Sequence, residues 1–148
     1  MVSSAKHNGF TLVEVIVVLC IVAILLVVTL PSYQRQLINT RRSVGWAELT
    51  DVTIRQEQYF IDHKRYAATL SDLGFPASPY AIGPDGESVS ALAKSRVYLI
   101  DLTANGYAYT LFATPQLSQA EDHLCGILSL NSMGIKSVTG DGLTSLCW

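Results

Sequence analysis

The side chains able to do chemistry are few and scattered. His7, His63 and His123 stand far apart. There is no Gly-x-Ser-x-Gly elbow and no Gly-rich phosphate loop ahead of a helix. The chain is therefore expected not to be an enzyme and to use no cofactor. The acids of Asp85-Gly86-Glu87 and of Asp141-Gly142 sit in turn contexts, not in carboxylate pairs or a calcium loop. Asp122 and His123 next to Cys125 come nearest to a metal cluster, but spaced ligand pairs of the zinc type are missing, so no metal is expected. The basic pairs Arg41-Arg42 and Lys64-Arg65 lack interleaved aromatic residues. They read as solvated faces or subunit contacts, and no nucleic-acid partner is expected. One residue is out of place: Glu14 is the only charge in a long apolar segment.

The elements around these residues separate into an anchor and a domain. The chain has 148 residues, of which 49% are hydrophobic and only 15% charged, with a net charge of −2. A typical soluble domain carries about 25% charged residues. The surplus of apolar residues lies at one end: residues 10–30 carry no charge except Glu14, and the next charge is Arg35. As a helix this segment is about 30 Å long, enough to cross a bilayer core. Lys6 and His7 precede it, but no small-residue cleavage site follows as in a secretory signal. Arg35, Arg41 and Arg42 follow it, so a count of basic residues alone would leave the domain in the cytoplasm.

Pro31 is expected to kink the helix or interrupt its hydrogen bonds. Apolar residues then resume at helical spacing through Leu37, Val44, Leu49, Val52 and Tyr59, and the periodicity predicts one helix over about residues 10–62. A connecting region with a short turn at residues 70–74 is expected over residues 63–96. Strands are predicted at residues 97–102 and around Tyr107, Tyr109 and Leu111, joined by an Asn105-Gly106 turn. A second hairpin is predicted from residues 125–130 and 135–138. Four antiparallel strands covering a long helix make an α+β layer. Cys20 is expected to be a buried small hydrophobe.

Gly9-Phe10-Thr11-Leu12-Val13-Glu14, directly ahead of the apolar helix, resembles the class III leader of type IV pilins and pseudopilins. The run from Asp122 to Leu130, then Gly134 and Cys147-Trp148, resembles the PilE-type minor pilins of type IVa systems, as does Tyr107-x-Tyr109-Thr110-Leu111. The resemblance implies a pilin fold: a long N-terminal helix, its apolar half protruding, packed on a four-stranded antiparallel sheet with a disulfide-closed C-terminal region. It also implies three parts: residues 1–9 as leader, 10–30 as the transmembrane and assembly half of the helix, and 31–148 as the exported head. A peptidase would cut between Gly9 and Phe10, and Phe10 would then be N-methylated. Glu14 would meet the new amine of a neighbouring subunit and set its axial register. Without the resemblance, an acid in the first helical turn complements the macrodipole, worth about 0.3–1 kcal/mol. A carboxylate deep in a bilayer costs roughly 2.5–3.5 kcal/mol, which favours the assembly role.

The resemblance further implies a Cys125–Cys147 disulfide, worth about 3 kcal/mol in the chain-entropy model. Such a bond needs an oxidising compartment and so supports an exported head despite the arginines. The expected function is that of a minor pilin supporting pilus biogenesis, twitching motility and adhesion. The alternatives are a type II secretion pseudopilin and a filament-surface binding module such as a DNA-uptake receptor. The expected partners are other pilin subunits, the prepilin peptidase and methylase, the inner-membrane assembly platform and the lipid bilayer. The chain is expected as a single-pass inner-membrane protein with its head in the periplasm, then in the extracellular pilus. Intact mass spectrometry of envelope protein should show a chain starting at Phe10 and heavier by one methyl group. A mature N-terminus beyond Leu30 would contradict this leader assignment.

Overall fold

The structure, a computed structural model, describes residues 11–148. The chain divides into two units, Met1–Gln36 and Leu37–Trp148. Helix α1 spans Leu12–His63, and its backbone remains helical through Pro31. The predicted start at Phe10 lies outside the described residues.

In the first unit, every described apolar side chain from Leu12 to Val27 is exposed. Cys20 is exposed with them, contrary to the expectation that it is buried. A helix that is apolar all round needs an enclosing medium, and the single chain supplies none there.

In the second unit, the rest of α1 turns Arg42, Gly45, Leu49, Val52 and Gln56 inward. These steps of three and four residues trace one helical stripe. The stripe faces a six-stranded antiparallel sheet in the order β2-β1-β3-β4-β5-β6. The strands are β1 (Tyr80–Ile82), β2 (Ser88–Val89), β3 (Tyr98–Ala104), β4 (Tyr109–Pro115), β5 (Leu128–Asn131) and β6 (Lys136–Val138). A short helix α2 (Thr144–Cys147) ends the fold. Alternate residues of the central strands point into the core: Tyr98, Ile100 and Leu102 from β3, then Tyr109, Leu111 and Ala113 from β4. Full burial of such aliphatic side chains stabilises by roughly 1.5–3 kcal/mol each. Gly45 lets the helix approach the sheet, because a Cβ there would lie 3.0 Å from the Tyr98 ring.

The sheet has six strands, not the four expected. The two extra strands come from the region assigned as a connection. Pro84-Asp85-Gly86 forms the turn of the β1–β2 hairpin, with Gly83 N–H donating to Glu87 O at 2.9 Å and Gly86 at φ 81°. All three β1 residues are buried, so this strand lacks the alternation that marks a half-buried strand in sequence. Tyr107, expected in a strand, sits at a hairpin tip. Asn105 Oδ1 accepts the N–H groups of Tyr107 and Ala108 at 3.0 and 2.9 Å, which diverts the backbone into a longer loop. The last hairpin begins at Leu128 instead of residue 125, because the preceding residues are held by the disulfide and by backbone bonds to residues 139–142.

Candidate functional site: the long helix and its clasped head

The expected cleavage residues Gly9 and Phe10 lie outside the described residues. Glu14 is in the first turn of α1 and exposed. Thr11 caps that turn, its hydroxyl accepting the Glu14 N–H at 3.3 Å. Thr11-Leu12-Val13-Glu14 thus has the spacing of a capping box, a helix-start signal in its own right. Among the described residues, no cation is paired with the Glu14 carboxylate. Further along, the Thr29 hydroxyl donates to Leu25 O at 3.0 Å, so its polar hydrogen is satisfied within the helix.

The head is fastened to the second part of α1 by buried polar groups. Arg42 donates from Nε and Nη2 to the two carboxylate oxygens of Asp122 at 2.9 and 2.8 Å. Asp122 Oδ1 also accepts the Cys125 N–H at 3.3 Å. Arg42 was expected on a solvated or contact face but is buried, since this pairing neutralises it on the sheet side of the helix. Gln119 Nε2 donates to Tyr98 Oη and to Ile38 O, both at 3.1 Å. Burial pushes the Tyr98 phenol up to about 12, partly offset by its hydrogen bond with Gln119. Gln56, fully buried, mimics a strand partner for Ala67: Ala67 N–H donates to Oε1 at 2.9 Å and Nε2 donates to Ala67 O at 3.1 Å.

A second clasp holds the segment after the helix. Tyr80 Oη is hydrogen-bonded to Glu48. Burial raises the Glu48 carboxyl above its ordinary range, with the hydrogen bond from Tyr80 opposing it. The Tyr80 phenol is also raised, chiefly by burial. Phe75 stacks on Tyr80 with ring centroids 4.9 Å apart, and the Arg55 guanidinium covers Phe75 at 4.3 Å.

Cys125 and Cys147 form a disulfide with Cα atoms 5.7 Å apart. The Asp122–His123–Cys125 cluster is thereby divided: Asp122 faces Arg42, Cys125 faces Cys147, and His123 is exposed 3.6 Å from Glu121. The sequence reading missed Arg42, Gln119, and the role of Gln56. For Arg42 and Gln56 the signal was spacing, since residues 42, 45, 49, 52 and 56 share the stripe whose apolar members were recognised. Gln119 lies outside the helix and had no such signal.

With this geometry in hand, relatives place the chain. Residues 4–30 match the prokaryotic N-terminal methylation motif. Residues 31–129 match the family described as "Type IV minor pilin ComP, DNA uptake sequence receptor", and the chain belongs to this family. It is similar to the type IV wide pilus major component PilA4 of Thermus thermophilus, 36% identical over 75 residues covering 49% of this chain and 57% of the relative. It is also similar to the type IV major pilin protein PilA of Myxococcus xanthus, 27% identical over 88 residues covering 60% and 39% of the two chains. The chain thus matches 57% and 39% of the lengths of these relatives. A solved type IV pilin from Shewanella oneidensis aligns with 75% of this chain and 97% of its own, at 22% identity and a TM-score of 0.47.

Asp122→Ala should leave the Arg42 charge buried without a partner and cost about 3–5 kcal/mol. Urea unfolding of the oxidised head should show a lowered midpoint. Arg42→Met combined with Asp122→Leu should recover much of that loss, because the double variant leaves neither charge buried.

Proposed function

We propose that this chain is a structural subunit, a minor pilin, of a type IV pilus. The observation that carries the reading is the division of labour along α1. Its second part completes a closed head, while among the described residues of its first part none is buried within the chain. Such a surface is stable only in lipid or against the like helices of neighbouring subunits. Cleavage after Gly9 and methylation of Phe10 would prepare the N-terminus, and the Glu14 carboxylate would pair with the Phe10 amine of an adjacent subunit. Pro31, which has no N–H to donate, would be the site of a local kink in α1. The head would reside in the periplasm and then on the extracellular filament, delivered by the inner-membrane platform.

A second reading, a DNA-uptake receptor on the filament, is favoured by one observation. Tyr66 N–H donates to Gly106 O at 2.9 Å, which sets the hairpin tip beside Lys64 and Arg65. Tyr107 at that tip is 88% exposed. Basic side chains next to an exposed ring are the elements of a nucleic-acid contact, and the family description includes a DNA uptake sequence receptor. If this reading holds, the soluble head should bind labelled duplex DNA, and Lys64→Ala with Arg65→Ala should reduce the slope of log affinity against log salt by about two. Absence of binding at low salt would remove the receptor reading and leave the subunit reading intact.

Glu14→Ala tests the assembly role. The substitution keeps a good helix former, so membrane insertion should persist. Burying the Phe10 ammonium without its partner costs about 3–5 kcal/mol, enough to lower incorporation by orders of magnitude. The processed variant should remain in the membrane with its head folded and be depleted from sheared pili. Wild-type incorporation would leave Glu14 with no role beyond complementing the helix macrodipole.

A further inference from the structure

We propose that, before assembly, the chain sits in the bilayer with Glu14 and Arg35 at opposite faces and Tyr33 at the head-side interface. Residues 15–34, instead of 10–30, would then fill the hydrocarbon layer. This rests on the membrane-anchored reading of α1 and specifies its register in the lipid.

Three observations carry it. First, the stretch between Glu14 and Arg35 is uncharged. At the helical rise its length is about 30 Å, the thickness of the hydrocarbon core. Second, Tyr33 is 63% exposed on the helix, and Arg35 is exposed two residues later. A tyrosine ring with an arginine beyond it matches the headgroup level, where the phenol meets water and the guanidinium reaches phosphate. Third, α1 begins at Leu12 with Thr11 capping the Glu14 N–H. The first N–H groups of a helix lack acceptors within the helix. Placing 10–30 in the hydrocarbon would draw that helix start about 3 Å, and Glu14 about 6 Å, into lipid. Placing 15–34 there leaves the helix start among headgroups. Of the polar groups this register submerges, the Thr29 hydroxyl is bonded to Leu25 O. Ser32 and Gln34 lie within three residues of Arg35, near enough to the headgroups to be solvated there. Helix α1 stays helical through Pro31, although that residue has no N–H to give.

This register has a consequence for assembly. The expected Gly9–Phe10 bond would lie outside the hydrocarbon, within reach of water and a peptidase. The Glu14 carboxylate would enter apolar surroundings only as the subunit leaves the bilayer for the filament. Its desolvation and its pairing would then be a single event.

The test is a depth profile. The full-length chain, with the head disulfide oxidised, is reconstituted in phosphatidylethanolamine–phosphatidylglycerol vesicles. A nitroxide is attached at native Cys20 and, in a Cys20→Ala background, at Val13→Cys, Val17→Cys, Val22→Cys, Ile24→Cys, Val27→Cys or Gln34→Cys. Depth is read from collisions with oxygen against a water-soluble nickel chelate. The expected profile peaks within one residue of Ile24–Leu25, with residues 13 and 34 both shallow and residue 20 about 7 Å from the midplane. Tyr33→Ala with Arg35→Ala should move the peak toward residue 20. A wild-type peak at Val22, or nearer the N-terminus, would overturn the register while leaving the membrane span in place. An unmoved peak in the double variant would overturn the anchoring role of Tyr33 and Arg35. Labels that are all water-accessible would instead refute the membrane-anchored reading on which the proposal rests.

Discussion

The rest of the structure depends on an apolar helix surface for which its own chain provides no cover. From Leu12 to Val27 every described side chain is exposed, and most are Val, Leu or Ile. No rearrangement of side chains on one helix can hide a surface that is apolar on all sides. The cover must come from outside the single chain. A protein under this constraint also needs a head that is stable by itself, and the buried core lies wholly within residues 37–148 among the described residues.

The head meets that requirement by fixing the remainder of α1 to the sheet with both shape and polarity. Gly45 permits close approach to Tyr98, while Leu49 and Val52 supply the apolar contact. The buried polar groups fix alignment. The Arg42–Asp122 pair, the Gln119 bridge from Tyr98 to Ile38, and the Gln56–Ala67 pair each join helix residues to a distant segment. Once such groups are buried, a shift of the helix along the sheet would leave them unsatisfied. Hydrophobic contact alone would penalise a small slide far less.

The disulfide belongs to the same arrangement. Cys125 is joined both to Cys147 and, through its N–H, to the carboxylate that holds Arg42. The C-terminal region therefore closes on the residues that clasp the helix. At the other edge of the sheet, the Glu48–Tyr80 contact and the Arg55–Phe75–Tyr80 stack hold the segment leading into β1.

Local pattern by itself determined the apolar span, the continuous helix, the turns at Asn105-Gly106 and Asn131–Gly134, and the family resemblance. These are properties of neighbouring residues: charge-free runs, three- and four-residue spacing, and glycine where φ must be positive. Gly106 and Gly134 have φ of 85° and 74°. Tertiary structure decided what depends on partners distant in the chain. Whether Arg42 meets solvent or Asp122 cannot be read from its neighbours, because its partner lies 80 residues away. The β1 strand was hidden because it is only three residues long and buried throughout, leaving no alternation to detect. Cys20 was misplaced for the converse reason: burial depends on what surrounds a side chain, and hydrophobicity in sequence states a requirement without stating which molecule fulfils it.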